Sequence, residues 1–475
     1  MPKLEVKPSS LHKPQRTDRQ RHQSVGSEGI PKPQRYWAVI AIILAISVSV
    51  MDSSIANLAL PTISNDLDIP PHQSVWVVNA YLVTLIAMTL PLSALGERVG
   101  FVRMFRSGIT IFMIGSIICA LSSNLPMLLT GRVINGLGGA VMMSIFGAMM
   151  RHIYPPKELA NGISINAMVV GTTAVLSPGL GAFILSISSW QWIFIFALPL
   201  CLLSLVFSRF LPQVEPITSP FDFKSAVLSA ITLGSFITGC DLAVSNTPLG
   251  VGLLCTALIT GTILWRHSSK QEAPLFPVDL FRMPTFRYAI IVSALCFAAA
   301  ACTMLSLPFF YENHLGVSTG TVGMLFMTWP IGSTLMARPA AYLSGKYPAS
   351  ILAAIGSTIM FSALAILLLL PHDAWLGFYG LCMFACGLGF GFIQTPNNKA
   401  ILLSTPLHRS GATGATQSSA RVFGQSVGAA SVAICFHLSA SHGVYYAITI
   451  GIIAAAVSAL INLVRFARGQ DIEII

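Results

Sequence analysis

Long apolar stretches broken by short polar connections set the rhythm of this chain. Runs of about 17–25 residues, each long enough to cross a roughly 30 Å hydrocarbon core, fall near 37–57, 75–95, 105–122, 127–150, 162–186, 190–208, 223–243, 247–265, 286–310, 321–342, 351–370, 375–395, 413–436 and 443–464. The pattern predicts fourteen membrane-spanning helices. The pair at 223–265 is separated only by the turn signal AVSNTP, Ala243–Pro248.

Composition agrees with that pattern. Of 475 residues 54% are hydrophobic and 9% charged, against roughly 25% charged in soluble domains. So few charges cannot clothe a water-facing exterior of this size. The class expected is an all-α polytopic membrane protein.

Charge then orients the spans. Eight of the 27 Lys and Arg residues lie in the N-terminal tail: Lys3, Lys7, Lys13, Arg16, Arg19, Arg21, Lys32 and Arg35. Even-numbered connections hold most of the others, among them Arg98, Arg103, Arg151, Lys157, Arg209, Arg266, Lys270, Lys346, Lys399 and Arg409. Odd-numbered connections hold none, but carry Asp66, Asp68, Glu312 and Asp373. Lys and Arg concentrate on the cytoplasmic side of membrane proteins, so both termini are expected there, as an even span count requires. The net charge of +10 is thereby a topology device and not a nucleic-acid footprint. Residues 1–36, rich in Pro, Ser, Lys and Arg, read as a disordered basic cytoplasmic tail with affinity for anionic lipid. That tail lacks the apolar core of a cleaved leader, so the first span is expected to be a retained anchor.

The nine cysteines have no metal-like spacing and mostly sit in apolar runs, as small core residues do. No CxxC, HExxH, GxSxG or GxxxxGK[ST] pattern occurs. The last absence removes the phosphate loop an ATP-driven pump would need. No enzyme, metal or cofactor is expected, and the energy for any transport comes from a gradient or a partner.

Ionisable side chains at membrane depth are costly and mark pathways or relays. Asp52, in VMDSSIANLALP, is fifteen residues beyond the start of span 1, about 7 Å short of its outer end at 1.5 Å per residue. Arg132, in LLTGRVINGLGGA, is about five residues into span 4, which runs the other way. The two share a depth and are expected to be neighbours. The pair reads as a structural clip, as a proton-coupling carboxylate tuned by Arg132, or with Asp52 contacting a cationic substrate. Arg421, on the inner third of span 13, either bonds helix carbonyls or lines the route. Glu97, Arg98 and Arg103, in LSALGERVGFVRMF, occupy a cytoplasmic turn permitted by Gly96 and Gly100. They form either a solvated loop or a charged latch on one conformation.

Small residues are grouped as well. Asn135, Gly136, Gly138 and Gly139 fall in little more than one turn of span 4. Span 5 carries LSPGLGAF, with Pro178 and Gly181. Small residues let helices approach, and proline near glycine permits a bend, so these segments read as pivots or as static packing. Trp329, Phe392, Met327 and Met336 could line an adaptable pocket, although each taken singly reads as core. Pro61 reads as a stop beyond span 1.

These segments together resemble the fourteen-span drug/proton antiporters of the major facilitator superfamily. MDSSIANLALP is similar to their first-span signature, ALGERVGFVR to the loop motif between spans 2 and 3, and GRVINGLGGA to the span 4 motif. VLSPGLGAF resembles the span 5 antiporter motif, SSWQWIFIFALP the span 6 entrance, and GATGATQSSARVFGQSVGAA the span 13 segment. There are departures. Glu97 replaces an aspartate, Asn135 a glutamine, Gln191 an arginine, and Phe101 and Val102 basic residues. The resemblance implies an N-terminal six-helix bundle over 37–210, two inserted spans within 211–270, a second bundle over 271–465 and a short tail, 466–475. It further implies alternating access, with export of small amphipathic or cationic compounds driven by inward proton flow. Asp52 and Arg132 would couple protons; Glu97, Arg98, Gly100 and Arg103 would latch; Gly136, Gly138, Pro178 and Gly181 would pivot; Asn57, Asn135 and Arg421 would line the path. The expected partners are a small-molecule substrate, protons and membrane lipid, with the chain a monomer in a bacterial cytoplasmic membrane. Other readings are export of a metabolite, amino acid or siderophore, proton-coupled import, or a non-transporting receptor or scaffold, which no appended soluble domain supports.

Overall fold

Backbone polar groups have no water partner in hydrocarbon, so an apolar run must satisfy them internally, as a helix. The computed structural model describes residues 30–214, 222–271, 278–371, 373–405, 410–439 and 441–470. Among them there are fourteen long helices and no strand. They are α1 (Lys32–Asp66), α2 (Trp76–Val99), α3 (Phe101–Ala120), α4 (Leu125–Ile153), α5 (Pro156–Ile187), α6 (Ala197–Phe207), α7 (Phe223–Ser245), α8 (Thr247–Ser268), α9 (Pro284–Phe309), α10 (Thr319–Leu343), α11 (Ala349–Leu369), α12 (Leu376–Leu403), α13 (Ser410–Leu438) and α14 (Gly443–Ala467). The expected tail positions 1–29 and 471–475 lie outside the described residues. By length and composition eleven spans are apolar enough to cross a membrane. α10 and α13 fall outside that set because glycine, serine and threonine dilute their apolar residues. The described apolar part of α5 is 17 residues, Gly171–Ile187.

Several helix starts are written locally. Asn124 accepts a hydrogen bond from the Met127 amide at 3.0 Å, with Pro126 beside it, to open α4. Asp222 caps α7 through the Ser225 amide at 3.0 Å, and Asn246 caps α8 through Leu249 at 3.4 Å. Such caps satisfy amides that the first helical turn leaves unpaired. Asn246 is also the single residue between α7 and α8, so the AVSNTP signal is a tight hairpin.

Two of the boundaries differ from expectation. α1 begins at Lys32, inside the stretch assigned to the tail, and it runs through Pro61 to Asp66. Arg35 is buried there, pairing with Glu158 at the start of α5 (2.6 Å). A proline costs a helix one amide donor and one carbonyl partner, and a packed neighbourhood absorbs that. Pro61 therefore does not stop the span, and Asp52 lies well inside a helix of 35 residues. In the second case α2 continues through Gly96, whose added Cβ would come within 2.9 Å of Ile145. Only Gly100 makes the turn, at φ +97°, where a side chain would strain the backbone.

Packing divides the helices into two bundles of the same design. In the first, α1 packs on α5 and α6, α2 on α4, α3 on α4 and α6. Eight helices later, α9 packs on α13 and α14, α10 on α12, α11 on α12 and α14. The bundles meet along two seams, α5 against α10 and α2 against α13, with α1 touching α9 between them. On the outer side the rings of His72 and His437 meet edge to face at 5.0 Å, and Met327 of α10 packs against Gly179. α7 and α8 form a hairpin, and α7 lies against both α2 and α13.

Candidate functional site

Arg132 sits seven residues into α4, with its side chain wholly buried. Its Nη1 donates to both oxygens of Asp52, at 2.9 and 2.7 Å, and its Nε donates to the Val77 carbonyl at 2.8 Å. The guanidinium lies 4.7 Å from the Tyr81 ring centre and 5.7 Å from that of Phe194, within range of cation–π attraction. Tyr81 shares a 2.8 Å hydrogen bond with Ser49, one turn before Asp52. The expected pairing of Asp52 with Arg132 is thus present, and α2 contributes to it through Val77 and Tyr81. Those two residues were not singled out from the sequence. A tyrosine in the apolar run VWVVNAYLV is the only hint of them.

The glycines around the pair are filled space. A Cβ on Gly136 would come within 2.7 Å of the Tyr81 carbonyl oxygen, and one on Gly138 within 2.6 Å of the Phe112 amide nitrogen. A Cβ on Gly115 of α3 would collide with Asn135. Asn135 is fully buried, and its amide has no hydrogen-bond partner among the described residues. Neither has the amide of Asn79 or Arg132 Nη2. Gly181 packs on Ile55 of α1, at 2.8 Å from the position of an added Cβ. The Pro178 carbonyl faces Gly323 of α10 at 3.0 Å from such an atom, so this part of α5 touches both bundles.

A chamber of about 80 Å³ lies where the bundles meet. Its walls are Ser53 and Asn57 of α1, Val78 and Leu82 of α2, Phe297 and Met304 of α9, and Gln425 of α13. Ser53 follows Asp52 directly, so the buried pair lies just behind the wall. Asn57 lines this chamber, with Oδ1 unpartnered among the described residues. Arg421 is half-buried one helical turn inward of Gln425, and makes no ion pair among the described residues.

Other expectations fall elsewhere. Trp329 packs on Phe390, with ring centres 6.0 Å apart. Phe392 and Met336 join Ala340 and Leu352 in a small core of the second bundle. Met327 packs on Gly179. None of the four lines the chamber, whose aromatic wall is Phe297. At the turn between α2 and α3, Arg98 is half-buried and Arg103 exposed, and the Glu97 side chain lies outside the described residues. Arg106, also missed, donates to Ser208 Oγ at 2.9 Å and ties α3 to the end of α6.

Two helical bundles joined along two seams, with a buried ion pair beside a chamber between them, define a membrane transporter fold. Residues 42–429 match the Major Facilitator Superfamily, and the chain belongs to that family. The chain is 38% identical to the uncharacterized transporter YebQ of Escherichia coli K12, over 94% of this chain and 99% of that one. It is 30% identical to the riboflavin transporter RibZ of Clostridioides difficile strain 630, covering 80% and 83%. To the multidrug efflux pump LfrA of Mycolicibacterium smegmatis it is 24% identical, covering 86% and 83%. Among solved structures, a peptide transporter POT in complex with sulfate aligns with TM-score 0.70 at 16% identity, over 94% of this chain and 98% of that chain. An inward-facing bacterial homologue of Spinster aligns with TM-score 0.68 at 15% identity, over 94% and 100%.

Proposed function

We propose that this chain is a secondary active transporter that exports small amphipathic compounds across a bacterial cytoplasmic membrane, in exchange for protons, by alternating access. The observation that carries the reading is the Asp52–Arg132 pair, an ionisable couple out of water directly behind the chamber wall. With the two side chains together, the carboxylate charge is compensated. A carboxylate parted from its cation while still out of water is better neutralised by a proton. A movement of α1 against α4 that lengthens the contact therefore takes up a proton on Asp52, and the reverse movement releases it. The chamber is far smaller than the roughly 300–1,000 Å³ that drug-sized ligands occupy, so cargo enters only when the bundles part. The segment around Pro178 and Gly181 touches both bundles and is the hinge in this scheme. The multidrug efflux name of one relative supports the cargo class.

A second reading is export of a vitamin-like metabolite by the same cycle, favoured by the similarity to a riboflavin transporter. Proteoliposomes carrying an imposed pH gradient test both readings, with ethidium and riboflavin as alternative cargoes. Wild-type protein is expected to move at least one of them against its gradient and to release protons from the opposite side. Asp52→Asn strands the Arg132 charge and lowers stability; in variant protein shown by size exclusion to stay folded, it is expected to lose this coupling. Undiminished proton-driven movement in Asp52→Asn would overturn the coupling role.

A further inference from the structure

The polar groups on the chamber wall are uncharged: Ser53, Asn57 and Gln425. The carboxylate closest to it in sequence, Asp52, has both oxygens held by Arg132, so that pair presents no net charge to cargo. Arg421 is different. It precedes Gln425 by four residues on α13, which puts both on one face of the helix. Among the described residues no carboxylate pairs with it. Its helix α13 packs along α2, which carries the wall residues Val78 and Leu82. Arg421 therefore belongs to the inner approach of the chamber, and it leaves that approach with an excess positive charge.

An organic cation entering here would shed water and meet a like charge with no anion in return. An anion would gain a guanidinium that presents several donors in a fixed fork. The aromatic wall complements a ring system. Phe297 is held edge to face by Phe390 at 5.2 Å, and Phe390 in turn rests against Trp329. We propose that the chamber takes aromatic compounds carrying an anionic group, anchored by Arg421 and oriented by Asn57 and Gln425, and that it rejects organic cations. This rests on the reading of the chain as a transporter and assigns the charge of its cargo.

The test uses the full chain in lipid nanodiscs, without a proton gradient, and two dyes built on the same xanthene ring system. Carboxyfluorescein is the anion and rhodamine 6G the cation. Fluorescence polarisation is expected to show carboxyfluorescein binding at least tenfold more tightly than rhodamine 6G. Arg421→Gln should weaken carboxyfluorescein at least tenfold, while Arg421→Lys should retain most of the affinity. Gln425→Glu, which introduces a carboxylate on the same face, should raise rhodamine 6G affinity at least tenfold and keeps the test open if Arg421→Gln fails to fold. Tighter binding of rhodamine 6G by the wild type, no binding of carboxyfluorescein, or an unchanged preference in both variants overturns the proposal. Anion binding that depends on Arg421, with no proton-driven movement of any cargo in proteoliposomes, would instead overturn the transport reading and leave this one standing. Proton-driven export of ethidium or rhodamine 6G would do the reverse.

Discussion

Arg132 Nη1 bridges both carboxylate oxygens of Asp52, at 2.9 and 2.7 Å, and both side chains are buried. Breaking a buried pair from one side strands the remaining charge, which costs about 3–5 kcal/mol. Arg132→Met is therefore expected to lower thermal stability in detergent sharply. Asp52→Asn with Arg132→Met in one chain should recover much of the loss, since neither charge is then unpaired. A double-mutant cycle on unfolding midpoints checks this, and strictly additive losses would contradict it.

The tight approach of α3 and α4 makes a second, purely steric expectation. Gly138→Ala drives a methyl group toward the backbone of Phe112 and Gly108, and overpacking of this kind costs about 1–3 kcal/mol. Gly252→Ala on α8 has nothing within 4 Å and should be neutral or slightly stabilising, because alanine is the better helix former. The two variants compared in one thermal assay separate packing from a general intolerance of glycine replacement.

Across the outer seam, His72 and His437 come from different bundles and touch ring to ring. In a cysteine-free background, His72→Cys with His437→Cys should crosslink readily with a short bismaleimide and halt transport. Cargo that turns the protein to its other face should slow the crosslinking. Equal rates with and without cargo would mean that the seam does not open.

The contact between α5 and α10 should bias the same equilibrium. A methyl group on Gly323 would collide with Ala182 and crowd the Pro178 carbonyl, so Gly323→Ala is expected to disfavour the arrangement with the outer seam closed and to slow the His72–His437 crosslink. Pro178→Ala should slow exchange between the two faces in either direction, by removing the hinge proposed for α5 without adding bulk. Distances between spin labels on the two bundles measure both effects.

At the cytoplasmic end of α7, Asp222 illustrates a pH effect that lies outside the bilayer. Burial pushes its carboxyl up, but hydrogen bonds from the Ser225 amide and from Gln271 and His267 outweigh that and hold it at about 2. Because the folded value lies below the ordinary 3.8, this contribution is complete above pH about 4 and is lost as pH falls toward 2. Asp222→Ala should cost about 1 kcal/mol at neutral pH, as loss of a helix cap does. The difference from wild type should vanish in strong acid.

Much of this was legible in the order of residues. Runs of apolar residues locate helices well in a membrane, because lipid offers the backbone no alternative, and depth along two antiparallel helices sufficed to bring Asp52 to Arg132. What misled was punctuation. Pro61 looks like an end, yet α1 passes through it because packing carries a single missing hydrogen bond, and Gly96 looks like a turn but is a contact surface for Ile145. The chamber was harder to read. Ser53, Leu82, Phe297 and Gln425 lie on four helices whose rotation about their axes depends on partners far away in the chain. For the same reason an aromatic such as Phe392, buried inside one bundle, could not be told from Phe297, which faces the gap between two.

The placement of α7 bears on how cargo dissolved in the bilayer could reach the interior. Its Gly234 rests against Ala87 of α2, and its Phe236 stacks on Phe423 of α13 at 5.7 Å. The hairpin it forms with α8 turns Leu258 and Ile259 outward. Of the two sideways doorways that twofold packing would leave, this one is roofed over. A lipophilic molecule drifting in the membrane toward the seam of α2 and α13 meets this hairpin first.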